Sequence, residues 1–75
     1  MNLVGFWCDS KGMVNRIRTN GTAYGQGLRL GDRVVAVDGI QWNDISKEQL
    51  EKFYTTEGHR VWKIESEKGE KDIVI

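Results

Sequence analysis

Cys8 and His59 are the side chains of this sequence that can act as nucleophile and base, the thiolate attacking while the imidazole takes up a proton. Such a pair needs hydrogen-bond reach and a third group to orient the imidazole. Here the two residues fall in different segments, with no Asn or Asp motif placed to orient the His. A lone cysteine ordinarily behaves as a small hydrophobe, so no catalytic residue is expected. Neither paired carboxylates for acid–base chemistry nor a metal-ligand spacing stands out, and no cofactor or metal is implied. A different chemistry lies in Leu3-Val4-Gly5-Phe6. A glycine between two apolar residues lets successive backbone N–H groups turn toward one point, which makes a small nest for an anion. An edge strand beyond it can pair with an extended peptide through its main chain. Taken alone, the triplet fits better a strand with a glycine at its start.

These residues have to be positioned by a very small scaffold. A chain of 75 residues is one domain, and at this size only about 60% of the unfolded surface is buried, so a deep cavity is not expected. Eleven basic and eleven acidic side chains cancel, which leaves no field to draw the chain to nucleic acid or to an anionic membrane. One cysteine excludes an internal disulfide framework. No apolar stretch approaches the roughly 20 residues of a membrane span, so membrane insertion is not expected. Strand-like sequence begins almost at Met1, so residues 1–75 are read as a single domain cut from a longer protein.

The glycines punctuate the elements. Residues 3–9 read as a strand, Ser10-Lys11-Gly12 as a turn, and 13–18 as the return strand. Segment 19–27 is glycine-rich and admits only a short helical turn at 22–26. Gly31-Asp32 suits a sharp reversal, Val34 to Val37 reads as a strand covered on both faces, and Asp38-Gly39 ends it. Ser46 with Gln49 forms a capping box, and Ile45 with Leu50 has the spacing of a hydrophobic staple. A helix over 47–57 follows, with Leu50, Phe53 and Tyr54 as its apolar stripe and Gly58 as a left-handed terminator. Residues 60–66 and 70–75 around Glu67-Lys68-Gly69 form a closing hairpin. Trp7, Trp42 and Trp62 read mainly as core area.

Taken in order, these elements resemble a PDZ domain over nearly every residue. Ala23 through Gly39, AYGQGLRLGDRVVAVDG, is similar to that family's Ala-x-x-x-Gly-Leu-x-x-Gly-Asp-x-Ile-x-x-Ile-Asn-Gly pattern, with Val34, Val37 and Asp38 as close variants. Leu3-Val4-Gly5-Phe6 is similar to the family's carboxylate-binding loop. The resemblance implies an α+β fold, a small, partly open antiparallel barrel or sandwich of five to six strands with one main helix and one short helical turn. It implies that the N–H groups of Val4, Gly5 and Phe6 hold a peptide carboxylate and that Phe6, Trp7, Cys8 and Asp9 receive the peptide as a strand. Val4, Phe6 and Cys8 then face the groove and Trp7 faces away. The main helix is the opposite wall, presenting Lys47, Glu51 and Tyr54.

The helix wall departs from the family pattern. Lys47 stands where many PDZ domains carry a histidine, which favours an acidic side chain two residues before a ligand's end. Glu51 would repel a bound carboxylate unless Lys47, four residues earlier, neutralises it. The same pair also fits an ordinary solvated helix face. Nothing precedes residue 3 to act as the family's first strand, so the closing strand DIVI is expected to take that place. This is the circularly permuted arrangement of bacterial PDZ domains attached to proteases. Phe6-Trp7-Cys8-Asp9 with the Lys11-Gly12-Met13 turn is similar to PDZ domains of bacterial retropepsin-like aspartyl proteases. The resemblance therefore implies a monomeric, non-catalytic module serving a protease. Its partner is a peptide, a protein C-terminus or the adjacent catalytic domain, the last leaving the groove unused. A cell-envelope or secreted location follows if the parent is such a protease.

Overall fold

The structure, a computed structural model, describes residues 1–56 and 58–75. Among these, the strands are β1 (Phe6–Cys8), β2 (Val14–Ile17), β3 (Arg33–Val37), β4 (Ile40–Gln41), β5 (Val61–Ser66) and β6 (Gly69–Val74). The helices are α1 (Thr22–Gly25) and α2 (Lys47–Thr55), with a 3-10 turn at Trp42–Asp44. β1 and β2 form one antiparallel sheet, and the other runs β4-β3-β5-β6, antiparallel throughout. This is a small α+β fold of six strands, as the resemblance implies.

Local chemistry makes the turns. Asp32 N–H donates to the Arg29 carbonyl at 3.2 Å, with Gly31 at φ +89°, the backbone region that a type II turn requires at its third residue. The Asp32 carboxylate accepts from Arg29 N–H at 3.0 Å and pairs with Lys71 at 3.3 Å, so the one buried charged side chain of the described residues is satisfied. Asp38 (φ +50°) and Gly39 (φ +81°) join β3 to β4 as a two-residue hairpin loop of the primed type. Asp38 then fastens that loop to β5 by accepting from Val61 N–H at 2.8 Å.

The two sheets meet at Gly12. Its carbonyl accepts from Val34 N–H at 2.8 Å, Val14 N–H donates to Asp32 at 2.7 Å, and the Trp42 ring lies over it. A Cβ at position 12 would stand 2.9 Å from the Val34 carbonyl oxygen and 3.2 Å from the indole. In the core, Phe6, Trp62, Phe53 and Tyr54 pack together, Phe6 edge-on to Trp62 at 5.0 Å and Tyr54 stacked on Trp62 at 6.1 Å. Val34, Val37, Ile64, Ile73 and Leu28 complete it. Trp62 and Ile64 point inward while Lys63 and Glu65 point out, as a period of two demands. Of the three tryptophans only Trp62 is fully buried.

Several boundaries differ from expectation because side chains claim backbone groups. The first strand is Phe6–Cys8 rather than 3–9, since residues 3–5 form a bend held by Asn2. Asp9 belongs to the hairpin turn, its carboxylate accepting from Lys11 N–H at 2.9 Å and Met13 N–H at 3.0 Å. The short helix ends at Gly25, with Gln26 as its cap. α2 ends at Thr55 rather than 57, and Glu57 itself lies outside the described residues. Thr56 is already extended, and the hydroxyls of Thr55 and Thr56 take up the carbonyls of Glu51 and Lys52. The start is as predicted, with Ser46 Oγ accepting from Gln49 N–H at 3.1 Å. β6 covers the outer edge of β5 along its whole length.

Candidate functional site

The pairing of β1 with β2 decides which backbone groups of β1 are available. Phe6 opposes Ile17 and Trp7 opposes Arg16. Arg18 N–H donates to the Gly5 carbonyl at 2.8 Å, so Phe6–Ile17 is a non-hydrogen-bonded pair. The carbonyl and N–H of Phe6 therefore point away from β2, toward α2. Cys8 N–H points the same way, after a bulge between Trp7 and Cys8. Gly5, at φ +85°, bends the chain just before the strand. An added Cβ there would lie 3.4 Å from Gly21 Cα.

The outward-facing groups have partners. Asn2 Oδ1 accepts from Val4 N–H at 3.0 Å and from Gly5 N–H at 2.8 Å, while Asn2 Nδ2 donates to the Phe6 carbonyl at 2.8 Å. Farther along, Cys8 N–H donates to the Tyr54 hydroxyl at 3.1 Å. Leu3 N–H donates to the Tyr54 carbonyl at 2.7 Å, which ties the bend to the last turns of α2. Tyr54 thus contacts both ends of this edge and meets Phe6 edge-on at 6.0 Å.

Strand alternation puts Val4, Phe6 and Cys8 on one face and Trp7 on the other, as predicted. Val4 and Phe6 are 2% and 0% exposed, so their side chains belong mainly to the core. Trp7 lies on the outer face, with Arg16 at 4.7 Å and Arg18 at 5.7 Å from its ring. Lys47 opens α2, as the spacing predicts. Lys47 and Glu51 are both exposed. Among the described residues the ion pairs are Arg33–Glu65, Lys63–Glu70 and Lys71–Asp32, so Lys47 does not neutralise Glu51.

Tyr54 closes the middle of the space between β1 and α2, and a hollow opens at each end of the helix. The hollow at the Lys47 end holds about 400 Å³ between Cys8, Asp9, Trp42, Ile45, Lys47 and Leu50. The other holds about 360 Å³ between Leu3, Val4, Thr22, Thr56, His59 and Ile75. A further hollow of about 420 Å³, beside Arg29, Asp32 and Lys71, lies away from both. Burial pushes the Cys8 thiol up to about 11, with the Tyr54 hydroxyl opposing and Asp9 adding to the shift. At neutral pH it is an unionised thiol, which is a poor nucleophile. His59 is exposed beyond α2.

Asn2 is the residue that sequence reasoning missed. Its signal is an Asn placed two residues before Val4 and three before the bend-forming Gly5, the local pattern of a side chain capping nearby backbone N–H groups.

A solved structure, that of a PDZ domain protein from Parabacteroides distasonis, matches the whole of this chain with a TM-score of 0.77 at 15% sequence identity. The fold is that of a PDZ domain. The present chain covers 19% of the length of that protein chain. No protein-family model matches the sequence, and no curated protein does.

Proposed function

We propose that this domain is a non-catalytic peptide-binding module that adds an extended peptide or protein C-terminus to the edge of β1 that faces α2. The observation that carries this reading is the alignment of Val4 N–H, Gly5 N–H, Phe6 C=O and Cys8 N–H along one edge facing α2. Two convergent N–H groups suit a carboxylate, and the alternating carbonyl and N–H beyond them suit an incoming strand. Trp7 and Asp9 flank Cys8 in the receiving strand, but their own main-chain groups are spent within the hairpin, Trp7 facing Arg16 and Asp9 N–H donating to the Met13 carbonyl at 3.0 Å. Lys47, exposed beside the 400 Å³ hollow, favours an acidic side chain upstream of the ligand's end. Glu51 disfavours one that lies deeper. The PDZ fold supports a binding role of this kind. Service to a bacterial protease of the aspartyl type rests on the sequence resemblance at Phe6 to Met13.

A titration tests the reading. Peptides with free carboxyl ends are expected to shift the backbone resonances of Val4, Gly5 and Phe6, and their amidated twins to do so weakly. Equal effects of the two series would refute the carboxylate nest.

A second reading, a structural domain packed on its own protease with the groove unused, is favoured by the partners these edge groups already have. It predicts that free-carboxylate peptides leave β1 untouched, while residues 1–75 gain protection from proteolysis inside the longer parent.

A further inference from the structure

The contacts of Asn2, continued by the Tyr54 hydroxyl, form a sequence along β1. An amide oxygen meets Val4 and Gly5 N–H, an amide N–H meets the Phe6 carbonyl, and a hydroxyl oxygen meets Cys8 N–H. A bound chain end would offer the same groups in the same order: a carboxylate oxygen, its last amide N–H, then a backbone carbonyl farther up. A cap that only held the bend would need the oxygen alone. The Nδ2 bond to Phe6 uses the strand's own acceptor, 4 residues away, and so reaches the pairing edge itself.

We infer that the Asn2 carboxamide is a tethered stand-in for a ligand's C-terminus, and that peptide capture proceeds by its displacement. This rests on the peptide-binding reading above. Asn2 is half-buried and can swing out by side-chain rotation, because the neighbouring Leu3 N–H stays anchored on the Tyr54 carbonyl. Arg18 Nη2, 3.3 Å from the Asn2 carbonyl, steadies the same segment. The exchange favours a true carboxylate, since charge-assisted bonds to N–H groups are about twice as strong as those of a neutral amide. The tether resists it, because an attached group competes at an effective concentration in the millimolar range. Weak or uncharged ends are thereby excluded, and the site selects for ionised chain termini.

The test uses the full chain with three side chains at position 2 and N-acetylated hexapeptides ending in Val, with free or amidated carboxyl groups. Removing the stand-in in Asn2→Ala is expected to tighten binding of the free-carboxylate peptide about tenfold, the worth of about one or two of the neutral hydrogen bonds that the carboxamide makes. Asn2→Asp, which keeps the acceptor as a tethered carboxylate, is expected to bind it more weakly than the parent. In the absence of peptide, amide exchange at Val4 and Gly5 is expected to speed up in Asn2→Ala and not in Asn2→Asp. Equal affinities across the three chains would overturn the stand-in while leaving peptide binding intact. Unchanged exchange at Val4 and Gly5 in Asn2→Ala would overturn it whatever the peptides do. If none of the three chains binds either peptide while exchange responds as expected, the binding reading fails and the inference falls with it.

Discussion

Cys8 shows how burial recasts a reactive side chain. Its thiol is raised from the ordinary 9.0 to about 11, chiefly by desolvation beside Tyr54, whose own hydroxyl is raised well above its usual range by the same cause. Between pH 9 and 11 the unfolded chain has lost a proton that the folded chain keeps, so stability falls as pH rises through that window. The loss at Cys8 amounts to roughly 2–3 kcal/mol when complete. Urea denaturation at pH 8 and pH 10.5 is expected to show a lower midpoint at the higher pH, and Cys8→Ala a smaller drop. A drop as large in the variant would assign the effect elsewhere. A Cys–His nucleophilic pair has no support in this environment, where the thiol stays protonated and His59 lies exposed.

At the scale of elements, the joint between the sheets rests on the missing side chain of Gly12. Gly12→Ala would set a Cβ 2.9 Å from the Val34 oxygen at a φ of +85°, so either the bridge to β3 or the Trp42 cover must move. A cost of about 2 kcal/mol or more is expected, read as a lowered thermal midpoint. A neutral result would mean that the hairpin is not held against β3 as described. The elements most legible in the sequence are those written in neighbouring residues: the Gly31 turn, the Asp38-Gly39 loop, the Ser46 cap and the alternation of β5. The limits of β1 and α2 were not legible. The limits of β1 depend on Asn2 and Asp9 taking backbone groups that a periodic reading assigns to a strand, and that of α2 on the extended backbone of Thr56. Least legible was the closure of the groove. The bond from Cys8 to Tyr54 spans 46 residues, and spacing on a helix shows which residues share a face but not that a hydroxyl will occupy a strand's edge. The 3-10 turn at Trp42–Asp44 likewise carries no local pattern of its own.

For the whole molecule, the hazard is an open strand edge, which invites pairing with another chain. β6 lies at the margin of the larger sheet, and Gln26 covers part of it: its Nε2 donates to the Val74 carbonyl and its Oε1 accepts from Val74 N–H. Lys71 adds a bond to the Gly27 carbonyl at 2.7 Å, tying the strand to the loop after α1. Gln26→Ala is expected to expose the Val74 groups and promote association, seen as a concentration-dependent rise in light scattering. A variant that stays monomeric at high concentration would show that Gln26 does not guard the edge. The two carboxamides, Asn2 on β1 and Gln26 on β6, thus treat two edges alike, one near the proposed site and one remote from it.

The aromatic stack has a practical corollary. Tyr54 touches the pairing edge through its hydroxyl and lies nearly parallel to the fully buried Trp62, at an angle of 14°. A chain end that takes the Cys8 N–H from Tyr54 must disturb the ring that excites, quenches or shields that indole. Were the edge occupied as proposed, its occupancy would be written into the intrinsic ultraviolet emission of the domain. With Trp7 and Trp42 replaced by Phe, the protein would serve as its own label-free optical sensor.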